Sequence, residues 1–600
     1  MGVANAAYLD PGMVATDHES FEQAKITWET PEYQADWGLG ALHASTAYAL
    51  GYHGQGVAVG VMDSGALLQK HPDLAGDRFH ASAADAHYGS TGQRYPQHTE
   101  EAGYGEYAPG ESATESGTID GNWIEGTNDS HGTHVTGTVG ANRDGNEMHG
   151  VAWGADVWVG NTGGTDDTNY GPYQDYTLFY NQWKALADNL IAANGVERGG
   201  VINNSFGTNI RVIKTAGGSQ THFPTDTVSQ TEYEYFLFNQ VYGDNPSFVD
   251  AAYDAVKGTN VVQVMTTGNR NFANPFYRPL YPYFNPDAEK HWVAVAGLQK
   301  SGDNYSLQAS WNEAGLAKYW TVTAPGVNIW GTKVGLGESL GAAKPDDGYE
   351  PGQAYWANSS GTSMAAPHVT GAMTVLMSRY QDMSAVQVRD VMFTTANHKN
   401  PDGSDMIGWA NTNGTTPAEG EVSDRMGWGV PDLDKGMYGP GQFLGNFDYN
   451  MRTTALDVWS NNISQVAWDQ RKGEDTEWLK AAEAWMALPD DKKLTMEGLT
   501  EDQKTLLGEI LTDTSDDVVG LTDEQEKISD ENAVAWREQY YQKRIDAIKA
   551  RVYDGSLTKR GAGTLVMTGN NTYRGGTTVE EGTLLGFAES FGVTGEDASA

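Results

Sequence analysis

Short, almost unbroken apolar runs recur through the first half of the chain, and each stops at a polar or glycine-rich corner. They are GVAVGVMDSG (56–65), GVINNSFG (200–207), NVVQVMTTGN (260–269) and WVAVAG (292–297). Apolar runs without alternation predict parallel strands covered by helices on both faces. In such sheets ligand groups collect beyond the carboxyl ends of the strands, where Asp63, Ser205 and Asn269 fall. Long polar stretches, notably 80–127 and 208–248, read equally well as functional surface or as disorder.

Further along, the period changes. TEWLKAAEAWMAL (476–488) and ENAVAWREQYYQKRIDAIKARVY (531–553) have helical spacing. Trp478, Ala482 and Trp485 share one face, and Trp536, Tyr540 and Ile545 approximately share another. The acidic segment between them reads as solvated. From about 556 the period changes again, and Gly563-Thr564-Leu565 returns as Gly582-Thr583-Leu584, 19 residues on. A period near 20 with short strands and glycine corners predicts rungs of a β-solenoid. Two rungs are too few to stand alone, so the segment reads as part of a longer object. The chain divides into an N-terminal extension (1–34), an α/β domain (35–440), a connecting β segment (441–470), a helical insert (471–555) and the start of a solenoid (556–600).

Composition narrows the partners. The 600 residues carry a formal charge of -41, which argues against nucleic acid and anionic membranes and suits bound cations such as calcium. There is no cysteine, hence no disulfide and no thiolate nucleophile. That fits a cytosolic protein, and equally one that must stay unfolded to cross a membrane. No apolar run approaches the ~18–20 residues of a spanning helix. MGVANAAYLD lacks the basic-then-apolar pattern of a signal peptide, so the reading is an intracellular protein or one whose leader has been removed.

Chemistry enters through three stretches. NSSGTSMAAPHVTGA (358–372) reads as the start of a buried helix, with Ser363 at its cap or first turn and Pro367 in an early position. NDSHGTHVTGTVGA (128–141) repeats the design with His131 and His134, and VMDSG (61–65) puts Asp63 at the end of a strand. A serine hydroxyl is a weak nucleophile until an imidazole takes its proton, and a buried carboxylate fixes the imidazole's tautomer. Asn269 and the backbone N–H of Ser363, at a helix's positive end, supply donors for an oxyanion. The alternative for His131 and His134, a metal pair at i, i+3, lacks an evident third ligand. His134 reads as a structural histidine.

The order Asp, His, Ser within VMDSG, HGTHVTG and GTSMAAP, joined by NNSFG, TTGN and TAPG, resembles the subtilisin-like serine proteases, or subtilases, over roughly 35–440. The resemblance implies a subtilisin-like parallel sheet with helices on both faces, followed here by the helical insert and the start of the solenoid. It makes Asp63 the orienting carboxylate, His131 the general base and acid, Ser363 the nucleophile and Asn269 the oxyanion donor. Ser205, Phe206 and Gly207 become the substrate-pairing wall of the specificity pocket, with Met265, Thr266, Thr267 and Gly268 opposite. Arg270 would sit near the pocket mouth and disfavour basic side chains. Asp73 in HPDL and Asp144 in ANRDGN occupy places where the family often binds calcium, although the rest of the loop matches poorly. Structural calcium is therefore an option, and the chemistry requires no cofactor.

SLTKRGAGTLVMTGNNTYRGGTTVEEGTL (556–584) and LDVWSNNIS (456–464) resemble segments of autotransporter passengers from Gram-negative bacteria. This implies a passenger that leaves through its own outer-membrane barrel, a route that suits a cysteine-free chain. The expectation is a secreted or cell-surface serine endopeptidase, monomeric, acting on protein or peptide substrates as a virulence factor. The competing reading is a catalytically silent adhesin derived from a protease.

Overall fold

The computed structural model describes residues 21–94, 105–163, 175–206, 212–216, 219–222, 225–228, 230–232, 234–235, 246–337, 348–493 and 530–591. Eight strands form the central sheet: β1 (Ala58–Asp63), β2 (Phe79–Ala81), β3 (Asp156–Asn161), β4 (Gly200–Asn204), β5 (Val261–Thr266), β6 (Trp292–Ser301), β7 (Asn304–Leu307) and β8 (Thr321–Pro325). Their order is β7-β6-β5-β4-β1-β3-β2, with β8 also on β6, and β7 alone runs antiparallel. The four apolar runs are β1, β4, β5 and β6. Strand β3 escaped because Asp156 and Trp158 are half-buried and interrupt its apolar pattern.

Around the sheet lie α1 (His131–Gly140), α2 (Tyr176–Asn194), α3 (Phe248–Asp254), α4 (Tyr277–Phe284), α5 (Thr362–Arg379) and α6 (Ala385–Thr394). On β3, Gly160 faces Leu186 of α2 while Val157 faces Gly140 of α1. These positions have opposite parity, so α1 and α2 cover opposite faces. Helix α5 packs on α1 and beneath β4, β5 and β6, and nearly every residue of it is buried. The antiparallel pair β9 (Ile329–Val334) and β10 (Ala354–Ser359) leads directly into it.

Two sequence boundaries move. Ala24, Trp28 and Tyr33 are buried in the main core, so residues 21–34 of the expected N-terminal extension pack as part of the α/β domain. Residues 1–20 lie outside the described residues, as does about half of 208–248. The described parts of 80–127 fold as short strand pairs, Ala84–Asp85 on Thr118–Ile119 and Gly92–Arg94 on Gly105–Tyr107. They close a small core of Ala86, Tyr88, Tyr107, Ile119 and Leu178.

The second change concerns the connecting segment. Strands β11 (Asn446–Asn450), β13 (Ser556–Arg560) and β15 (Thr577–Val579) form one parallel stack, and β12 (Leu456–Trp459), β14 (Thr564–Met567) and β16 (Thr583–Gly586) form another. Leu565 pairs with Leu584, the repeat read from the sequence. It also pairs with Asp457, and Leu557 pairs with Phe447. The segment read as a connector thus supplies a third layer.

Between the first and second layers the chain makes α7 (Val466–Met486) and α8 (Asp530–Ala550), the former starting earlier than the expected insert. Trp478 and Trp485 of α7 both meet the Tyr541 ring edge-on, at 5.2 and 5.0 Å. Most of the acidic segment between the helices lies outside the described residues. Among the described residues no helix is long and apolar enough to cross a membrane.

Arg471 of α7 ties the insert to the α/β domain through two 2.6 Å bonds to the Glu289 carboxylate. Burial pushes Glu289 up, but Arg471, Arg551 and Arg389 overcome that and pull its carboxyl down to about 2. A lowered carboxyl stabilises the fold above its ordinary value of 4.5, and that stabilisation is lost as pH falls toward about 2. The melting temperature of Glu289→Gln should therefore lie well below that of the wild type near neutrality, and the gap should narrow steadily on acidification. Thermal unfolding of the two proteins across that range checks it.

Candidate active site

Asp63 ends β1, Ser205 follows β4 and Asn269 follows β5. Register makes these exits neighbours, since Met62 pairs with Asn204 and Asn204 with Met265. The segments read as opposite pocket walls, 205–206 and 266–268, therefore leave adjacent strands side by side. Met265 itself is a buried residue of β5, and Gly207 lies outside the described residues.

Asp63 is fully buried, and its Oδ1 lies 2.7 Å from Nδ1 of His131. The same oxygen accepts the Ser64 N–H at 2.8 Å. His131 opens α1 with its side chain 29% exposed, so one edge of the imidazole is anchored on a dry carboxylate while the ring reaches solvent. The helix start is fastened to the strand end. Asp129 Oδ1 accepts from the His131 N–H and from Ser64 Oγ, each at 2.8 Å, while Ser64 Oγ accepts the Gly132 N–H at 3.0 Å. A Cβ on Gly132 would stand 2.2 Å from the Gly65 carbonyl, so only glycine lets α1 approach β1 this closely. Sequence reasoning missed Ser64 and Asp129. Both sit beside motif residues, and their polarity next to buried Asp63 was the available signal.

Ser363 stands in the first turn of α5, locked to the end of β4 by a reciprocal pair. Ser363 Oγ donates to the Ser205 carbonyl, and Ser205 Oγ donates to the Ser363 carbonyl, both at 2.7 Å. Asn203 Nδ2 donates to Ser205 Oγ at 2.8 Å, and Thr370 Oγ1 donates to Asn203 Oδ1 at 3.0 Å, which fixes the helix axis. Asn269 is exposed and oriented by its oxygen, which accepts the Thr362 N–H at 2.8 Å and Thr362 Oγ1 at 2.9 Å. Its Nδ2 and the Ser363 nitrogen both border Gly361, 3.4 and 3.6 Å from where a Cβ would be. Two N–H donors thus flank the serine.

The other candidates have local uses. His134 is fully buried with Nε2 3.0 Å from the Ile329 carbonyl, and burial lowers it well below the ordinary histidine value, so the ring is neutral. Arg270 is half-buried, and its backbone N–H donates to Asn312 Oδ1 at 2.8 Å. Asp73 is buried and accepts the Trp356 indole N–H at 2.7 Å. Burial and the neighbouring carboxylates of Asp144, Glu32 and Glu147 push it up to about 7. Asp144 caps its own turn by accepting from Asn146, and among the described residues no three acidic or histidine groups gather as a metal set. Asp73 and Asp144 thus each have partners within the protein.

A buried acid on an imidazole, with a helix-start serine flanked by N–H donors, is an arrangement suited to hydrolysis through a serine nucleophile. Comparison with known proteins gives the family. The subtilase family model matches residues 54–429, well over half of the chain, so the chain belongs to that family. A second model, the passenger-associated-transport-repeat, matches residues 557–585. An extracellular serine protease of Serratia marcescens is 26% identical over 603 residues, covering 96% of this chain and 45% of that protein. The Neisserial autotransporter lipoprotein NalP of Neisseria meningitidis is 25% identical over 369 residues, covering 57% of this chain and 28% of that protein. The chain thus spans less than half the length of these relatives. Among solved structures, fervidolysin from Fervidobacterium pennivorans matches at 22% identity and a TM-score of 0.38, over 73% of this chain and 50% of that one.

Proposed function

We propose that the protein is a serine endopeptidase that cleaves peptide bonds through an acyl-enzyme on Ser363. The carrying observation is the 2.7 Å contact between buried Asp63 and His131 at the same sheet rim as Ser363 and Asn269. Asp63 accepts from Nδ1–H and leaves Nε2 as the base. The Ser363 hydroxyl turns from the Ser205 carbonyl, gives its proton to Nε2, and its oxygen attacks the scissile carbonyl carbon. Charge developing on the carbonyl oxygen is met by the Ser363 backbone N–H and Asn269 Nδ2. His131 then protonates the leaving amine. Water repeats the sequence, giving a proton to His131 and attacking the ester, so that the acid product leaves and Ser363 regains its hydrogen. No step draws on a metal or cofactor.

The wider setting is part of the same proposal. Similarity to an extracellular protease, to an autotransporter and to the passenger repeat favours a chain displayed or released outside a Gram-negative cell, with its own outer-membrane barrel as transport partner. The stacked parallel strands from β11 to β16 would then begin a β-solenoid.

Labelling with a fluorophosphonate probe tests the chemistry. Folded wild type should take one label on Ser363, and Ser363→Ala should take none. Folded wild type that takes no label would favour the silent adhesin instead.

A further inference from the structure

The helical insert touches the α/β domain at a second place, far in sequence from the site. Arg537 Nη2 and Tyr540 Oη of α8 both donate to the buried carboxylate of Glu232. Just upstream, Gln230 Oε1 accepts the N–H groups of Asp226 and Thr227, each at 3.0 Å. That turn in turn grips the chain beyond β5. Thr225 Oγ1 donates to the Asn274 carbonyl at 3.0 Å, Asn274 Nδ2 donates to the Thr225 carbonyl at 2.7 Å, and Asp226 Oδ1 accepts the Ala273 N–H at 3.0 Å.

Asn312 carries the connection to Asn269. Its Nδ2 donates to the Asn274 carbonyl at 3.0 Å, its Oδ1 accepts the Arg270 N–H at 2.8 Å, and its own N–H donates to the Gly268 carbonyl at 3.0 Å. Asn269 is thus clamped on both sides by one asparagine that answers to the turn held by α8. Gly268 has a φ of +116°, and a Cβ there would lie 2.3 Å from the Phe276 ring, so the loop also presses on the residue just before α4. Helix α8 packs against α4 too, with Arg544 over the Tyr283 ring at 4.1 Å.

A loop without regular structure keeps only the geometry its contacts impose, and a displacement of about 1 Å at reacting groups costs on the order of 100-fold in rate. We infer that the helical insert braces the loop carrying Asn269, with Arg537 and Tyr540 acting as positioning residues through Glu232. This rests on the reading of Asn269 as the oxyanion donor.

The test compares the full chain with the Arg537→Gln/Tyr540→Phe double variant for kcat and KM on a peptide p-nitroanilide, alongside fluorophosphonate labelling and thermal unfolding. The double variant should lose roughly 3- to 30-fold in kcat with KM little moved. Arg537→Lys should retain most of the rate. Placed in an Asn269→Ala background, the same pair should cost less than about 2-fold, because the donor it positions is gone. Should the double variant fail to fold, Tyr540→Phe alone keeps the ring packing and carries the same comparison. Wild-type kcat in these variants, or losses that multiply fully in the Asn269→Ala background, would overturn the brace. Wild type that neither labels nor cleaves would overturn the reading of the site itself.

Discussion

Ser363→Ala should lower kcat for peptide hydrolysis by about a millionfold, His131→Ala should cost about as much, and the two together should cost no more than either alone. The size is the one found in subtilisin, the type enzyme of the family, rather than one deduced from this geometry. The non-additivity follows from the roles. Without Nε2 to take its proton the hydroxyl is a poor nucleophile, and without the hydroxyl the imidazole has nothing to activate. Steady-state kinetics on the two single variants and the pair would settle the matter. A pair clearly slower than either single variant, toward the further factor of about a million that additive effects would give, would mean that the side chains act independently.

Asn269→Ala should lower kcat by about 100- to 1000-fold and leave KM nearly unchanged, again a magnitude known from subtilisin itself. The oxygen of Asn269 is occupied by two donors from Thr362, so the amide can turn only its nitrogen outward. In the proposed mechanism that donor meets charge that appears in the transition state and is nearly absent from the bound substrate. Its loss therefore falls on kcat. A rise in KM with kcat intact would instead make Asn269 a substrate-binding residue. The two variants also separate two functions of the helix start, since Ser363→Ala removes the nucleophile but keeps the backbone N–H.

Much of this was legible because the signals are local. An apolar run that ends in a polar corner marks a buried strand and its exit, so β1, β4, β5 and β6 are legible, with Asp63, Ser205 and Asn269 at or just past strand ends. Strand β3 is not, since its half-buried Asp156 and Trp158 break the run. The small-residue helices were visible, but the glycine contact that seats α1 on β1 was not, because nothing near Gly132 in the chain names the Gly65 carbonyl as its neighbour. Asp73 and Asp144 were candidates by position. The fold gives Asp73 to the Trp356 indole, a partner on the distant strand β10.

What the sequence alone determined was the type of most elements and the candidates for the reactive groups, both of which are set by a few consecutive side chains. Tertiary structure decided which strand exits stand side by side, that residues 446–459 supply a layer the repeat could not reveal across a helical insertion, and that an asparagine at 312 governs the loop at 269. Those outcomes depend on register and on contacts between distant segments, and neither is encoded in local periodicity.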